Sequence, residues 1–165
     1  MRRITTFVAL VLAGAAVAGA AAAAPTVDVS IGAGLQKKAK TYGEREFNYL
    51  SNDLQRSIEN AAARSGDPAL DGARFNLVIA DAQPNRPTFK QLGDTIGLSP
   101  RSFGVGGATL EGSVTYPDGR VVPVSYRWYN HDITDARGST TWTAASRAFD
   151  MFAYKVARDG AVATR

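Results

Sequence analysis

The chain has 165 residues, with 19 lysines and arginines against 15 acidic residues, a net charge of +4, one histidine and no cysteine. That length accommodates one ordinary domain, and the missing cysteine excludes disulfides, thiolate metal sites, cysteine nucleophiles and lipid attachment at an N-terminal cysteine. The small basic excess is spread along the chain, so it does not make the clustered footprint of a nucleic-acid binder.

Residues 1–24 read as a secretory signal. Arg2 and Arg3 precede an apolar run from Phe7 to Val17, and an alanine-rich tail then offers small residues at every position a signal peptidase inspects. Alanine and glycine make up more than half of Ile4 to Ala24 and no basic residue follows until Lys37, so a stop-transfer anchor is not expected, nor a transmembrane segment in the mature chain. Cleavage after Ala22 or Ala23 is preferred to cleavage after Ala24, which would leave Pro25 next to the cut. Losing Arg2 and Arg3 leaves 17 basic against 15 acidic residues, a net charge of +2. The expected location is the periplasm or the cell exterior.

Residues 25–160 read as a single domain. Thr26 to Ile31 alternates apolar and polar and predicts a first strand. Gly32 to Lys40, with Lys37, Lys38 and Lys40, reads as a solvated loop. Thr41 and Glu44 have the spacing of a capping box, so a helix is expected to start there. Phe47, Leu50, Leu54, Ile58 and Ala61 form its apolar stripe; Gly66 supplies a left-handed cap and Pro68 stops continuation. Ala73 to Ala80 predicts a second strand, parallel to the first. Asp81 to Gly107 is a long connection, with a helical turn expected around Thr88 to Leu92. Gly104 to Gly107 lacks the lysine and the following helix of a phosphate loop, and is expected to turn the connection closely into the third strand.

The next two strands form a hairpin around Tyr116-Pro117-Asp118-Gly119-Arg120, with a type I turn and a left-handed glycine. This sets Val114 opposite Val122, Gly112 opposite Val124, Leu110 opposite Tyr126 and Ala108 opposite Trp128 on a dry face. Glu111 opposite Ser125 and Thr109 opposite Arg127 lie on a wet face. A last helix, capped by a hydroxyl of Ser139 to Thr141 and ended by Gly160, carries Ala145, Phe149, Phe152 and Val156 on one stripe. Residues 161–165 read as a frayed tail. The order β-α-β-β-β-α predicts an α+β fold, a two-layer sandwich with a four-stranded mixed sheet and two helices on one face. Trp128, Tyr126, Phe149 and Phe152 are expected in its core.

Few residues carry recognisable chemistry. His131, followed by Asp132, could serve a small hydrolase, but neither Ser125 nor Ser139 has a nucleophile-elbow sequence around it. One histidine without cysteine does not make a transition-metal site, and no calcium-loop spacing is present. No cofactor is expected. The stretch from Asp81 to Thr88 is stiffened by Pro84 and Pro87 and presents Asp81, Asn85 and Arg86, which suits a preorganised recognition loop. Asp81 and Arg86 could instead tie that loop to the fold, Arg86 by pairing a carboxylate or by capping carbonyls. On the wet face Glu111, Arg127, Tyr129 and His131 are expected near one another, and arginine and tyrosine are enriched at interface hot spots.

The signal, the first helix, the Asp81 to Thr88 loop and the Gly-Gly-Ala-Thr-Leu-Glu-Gly entry to the hairpin (Gly106 to Gly112) together resemble uncharacterised families of small exported proteins from Gram-negative bacteria. The resemblance implies an envelope location, and it brings no catalytic residue. Many such relatives are lipoproteins, from which this chain departs by lacking the cysteine. The expected function is a non-enzymatic binding or accessory domain that contacts an envelope protein. The alternatives are a small hydrolase using His131, a small-ligand binder, or a structural protein that self-associates through an open sheet edge.

Overall fold

A computed structural model describes residues 23–160 of the chain. The expected signal, apart from its last two residues, and the expected tail therefore lie outside the described residues. The elements are β1 (Thr26–Ile31), α1 (Ala33–Gln36), α2 (Ala39–Tyr42), α3 (Glu44–Ser65), β2 (Arg74–Gln83), α4 (Phe89–Asp94), β3 (Gly107–Thr115), β4 (Val121–Tyr129) and α5 (Thr143–Asp159). Single 3-10 turns occupy Pro68–Leu70 and Ile133–Ala136.

The fold is α+β, with a four-stranded sheet in the order β1-β2-β3-β4. β1 runs parallel to β2, and β3 runs antiparallel to both β2 and β4, so the sheet is mixed as expected. All the hairpin pairs predicted from the turn are present, from Val114 opposite Val122 to Ala108 opposite Trp128. Tyr116 accepts from the Gly119 N–H at 2.9 Å, and Gly119 has φ +86°, the left-handed conformation that this turn requires.

The alternation of the strands puts Val27, Phe75, Leu77, Ile79, Leu110, Val114, Val124 and Tyr126 into one core with the stripes of the two long helices. Phe47, Leu50, Leu54 and Ile58 enter it from α3, and Ala145, Phe149, Phe152 and Val156 from α5. Trp128 is partly buried against the same cluster, with the Arg147 guanidinium 5.2 Å from its ring centre. α3 and α5 run side by side in the same direction. Ser146 donates to Asp53 at 2.6 Å, and one turn further on Ser57 donates to Asp150 at 2.7 Å.

Three local expectations are corrected. Gly32 to Lys40 is not an open loop but folds largely into α1 and α2, because Leu35 and Tyr42 bury themselves in the core. Thr41 does not cap α3; it lies inside α2, and Gly43 at φ +96° separates the two helices and takes the N-cap position without a side-chain bond. The capping box is found instead at Thr88 and Gln91, at the start of α4. α5 starts after Trp142 and takes no side-chain cap from its own N-cap residue.

The second strand is also longer than its alternation suggests. A bulge between Ile79 and Asp81 resets the register, so Asp81 pairs with Thr109 and Ala82 with Ala108, and the strand continues to Gln83. The extra residue turns Asp81 to the wet face and Ala82 into the core.

Candidate functional site

The bulge places Asp81 beside the far end of the hairpin, and a polar cluster forms around it. Lys38 Nζ donates to Asp81 Oδ1 at 2.6 Å, and the Tyr129 hydroxyl donates to Asp81 Oδ2 at 3.1 Å. Tyr129 also shares a hydrogen bond of 3.2 Å with the Thr109 hydroxyl, and the Arg127 guanidinium lies 5.3 Å from the Tyr129 ring centre. Lys38 Nζ is 5.7 Å from the ring of Tyr42.

Burial raises the Tyr129 phenol above its ordinary pKa, opposed by the Thr109 hydrogen bond and reinforced by the Asp81 charge. Tyr42 is raised for the same first reason. For Lys38, burial pulls downward but is outweighed by the Asp81 hydrogen bond and by the charges of Tyr42, Asp81 and Tyr129, so its pKa is raised. At neutral pH the cluster is therefore an ammonium group and two neutral phenols around one carboxyl group.

The structure brings Asp81, Arg127 and Tyr129 together on the wet face. Glu111 is exposed on the same face, opposite Ser125 and diagonal to Arg127. His131 lies in the exposed bend beyond β4. Its neighbour Asp132 is engaged elsewhere, accepting from the Thr134 N–H at 2.7 Å and the Thr134 hydroxyl at 2.8 Å. Those two bonds hold the Asp132 carboxyl below its usual range, with the backbone bond the larger cause. Among the described residues no group of three or more histidines and acids could hold a metal ion.

Asn85 and Arg86 shape the loop from Pro84 to Gly106. Asn85 is only 1% exposed. Its Oδ1 accepts from the Ala144 N–H at 2.8 Å, near the start of α5, and its Nδ2 donates to Asn130 Oδ1 at 2.8 Å and to the Gly104 carbonyl at 3.2 Å. The capping group that α5 lacks locally thus comes from a loop remote in sequence. Gly106 is required beside it, because a Cβ there would lie 2.6 Å from the Asn85 amide. At Gly107 a Cβ would lie 2.3 Å from the Trp128 carbonyl oxygen and 2.6 Å from Tyr129 Cα.

Arg86 Nε donates to the Ser139 carbonyl at 3.0 Å and its Nη1 to the Arg101 carbonyl at 2.9 Å, with Phe103 stacked 5.4 Å from the guanidinium. The arginine thus caps carbonyls from two directions, the structural alternative raised by the sequence.

The loop held in this way presents apolar side chains to water. Phe89 is 87% exposed, Ile96 is fully exposed and Phe103 is partly exposed. Phe89 stands between two open grooves, one of about 560 Å³ bordered by Lys40, Arg45 and Lys90, the other of about 320 Å³ bordered by Leu92, Pro100 and Thr140.

Lys38, Thr109, Phe89 and Ile96 were not singled out from sequence. The lysine run was the one available signal for Lys38. Phe89 lies within an expected helical turn, whose composition does not distinguish an exposed face from a buried one. Comparison with protein-family models, with curated proteins and with solved structures finds no match to this chain.

Proposed function

We propose that the chain is an exported, non-enzymatic binding domain of the cell envelope, contacting a protein partner with the wet sheet face and the adjoining proline-containing loop. The observation that carries this reading is the exposure of Phe89 and Ile96 on a loop whose base is fixed by Asn85 and Arg86. Large apolar side chains on a preorganised surface favour association, since little ordering entropy is lost when they are covered. Asp81, Arg127, Tyr129 and Glu111 supply polar groups beside that loop, and Arg and Tyr are the types that dominate interface energetics. The hydrogen bond from Tyr129 to Asp81 and the contact of Arg127 with Tyr129 hold three of them in place before a partner arrives.

The test is affinity capture from native envelope extract with the whole chain as bait. Two variants serve as controls, Arg127→Ala with Tyr129→Ala and Phe89→Ser with Ile96→Ser, each checked for an unchanged circular dichroism spectrum. A protein retained by the natural chain and lost from both variants supports the reading; an identical set retained by all three contradicts it.

A further inference from the structure

The two edges of the sheet differ in how they are protected. On β4, the bonds from Tyr116 N–H to the Arg120 carbonyl and from Asn130 N–H to the Gly106 carbonyl, both 2.9 Å, turn the even-numbered residues toward β3. Pro123 therefore occupies an outward position, where its missing N–H takes nothing from β3 and offers nothing to an approaching strand.

β1 has no such device. The bonds from Thr26 N–H to the Ala73 carbonyl and from Gly32 N–H to the Ile79 carbonyl, both 2.9 Å, turn Thr26, Asp28, Ser30 and Gly32 toward β2. The N–H and C=O groups of Val27, Val29 and Ile31 then point out of the sheet, with no backbone partner among the described residues. Between Thr26 and Ile31 there is no proline, lysine, arginine or bulge.

We propose that β1 pairs antiparallel with the β1 of a second copy of this chain about a two-fold axis at Val29. Outward residues must face outward residues, which allows the axis at any residue of the strand. Axes at Asp28 and Val29 each pair five of its six residues, and the Asp28 axis would set two carboxylates directly opposite each other, which leaves Val29. That register sets Val27 opposite the partner's Ile31, each exchanging both backbone bonds, and extends the apolar face of the sheet over the partly buried Val29 and Ile31. On the wet face it sets Asp28 opposite the partner's Ser30, so the one charge of the strand meets a hydroxyl and not its own copy. A closed two-fold contact of this kind also uses up both open edges, so it does not propagate. β1 lies at the opposite edge from β4. The inference is therefore independent of the proposed function, and each dimer would display two copies of the Arg127 and Tyr129 surface.

The mass of the purified full chain in solution, by light scattering at high micromolar concentration, tests it. The expected mass is twice that of the chain; a monomer overturns the proposal. Val29→Pro removes an outward N–H that β2 does not use, and is expected to halve the mass with the circular dichroism spectrum unchanged. Should that variant unfold, Ser30→Asp and Ser30→Lys decide. The first sets like charges opposite each other and weakens dimerisation by about fivefold, while the second pairs with Asp28 of the partner and strengthens it by a similar factor. A dimer indifferent to both Ser30 changes overturns the proposal. Because the chain has no cysteine, Val29→Cys gives a further readout, since hydrogen-bonded pairs on the axis fall within disulfide reach. Oxidation is expected to yield a covalent dimer, whereas Asn76→Cys on the inner strand β2 yields none.

Discussion

Asn85 spends every hydrogen-bonding group of its amide inside the fold, on Ala144, Asn130 and Gly104. Replacing it with alanine leaves the Ala144 N–H and the Gly104 carbonyl without their partner and Asn130 Oδ1 with only its 3.3 Å bond from the Gly106 N–H, and should lower stability by about 2–4 kcal/mol in denaturant unfolding. Asn85→Asp keeps the acceptor for Ala144 but cannot donate to Asn130 or Gly104. It is expected to be destabilising at neutral pH, and a stability equal to that of the natural chain would contradict the assigned roles. None of this was legible in the sequence, because the partners lie 19 to 59 positions away. What could be read was that a polar residue between two prolines stands in a stiff segment. Tyr42, Tyr126 and Tyr129 all have phenols raised by burial. In an ultraviolet titration of the folded protein these three should ionise above the ordinary phenol range, and Tyr129→Phe should remove one such late group. A Tyr129→Phe titration curve with its late part unchanged would contradict this. For a phenol or an ammonium whose pKa rises on folding, the stabilisation is present below the unfolded-state value and is lost as pH climbs through the folded one. Tyr129 and Lys38 therefore predict a loss of stability setting in above about pH 10.

At the scale of elements, the hairpin was the most legible part, because its register follows from a local turn and from which side chains avoid water. Gly119 at φ +86° is the residue the turn depends on, and Gly119→Ala should cost about 1–2 kcal/mol in thermal or chemical unfolding. The stripes of the two long helices were equally readable, since burial follows their period. Phe149, fully buried between α5 and the sheet, should cost about 3–5 kcal/mol when changed to alanine; a loss under 1 kcal/mol would contradict its place in the core. The bulge at Ala80 was not readable. Alternation alone assigns Asp81 to the core side, and only pairing with β3 shows that one extra residue rotates it outward. The Thr41 and Glu44 spacing misled for a related reason. A capping box needs an extended cap residue, and Gly43 breaks the chain after Thr41 has already entered a helical turn.

For the whole molecule, the strands and both long helices contribute their apolar stripes to one core, while Asp81, Arg127, Tyr129 and Glu111 occupy the alternate strand positions. The class of the fold followed from the order of elements, because each apolar stripe needs a partner to cover it. Of the candidate site residues, Asp81, Arg127 and Tyr129 come together, and the apolar tip of the loop emerged only from the exposure of Phe89 and Ile96. The signal reading makes its own prediction at this scale: intact-mass analysis of the exported protein should give a chain beginning at Ala23 or Ala24, and retention of Met1 would contradict it. Partner binding through the loop and the wet face stands or falls with the capture from envelope extract. A protein held by the natural chain and released by the Arg127 and Tyr129 double variant as well as by the Phe89 and Ile96 double variant is expected. Retention of the same protein by all three, with every bait folded, would contradict it.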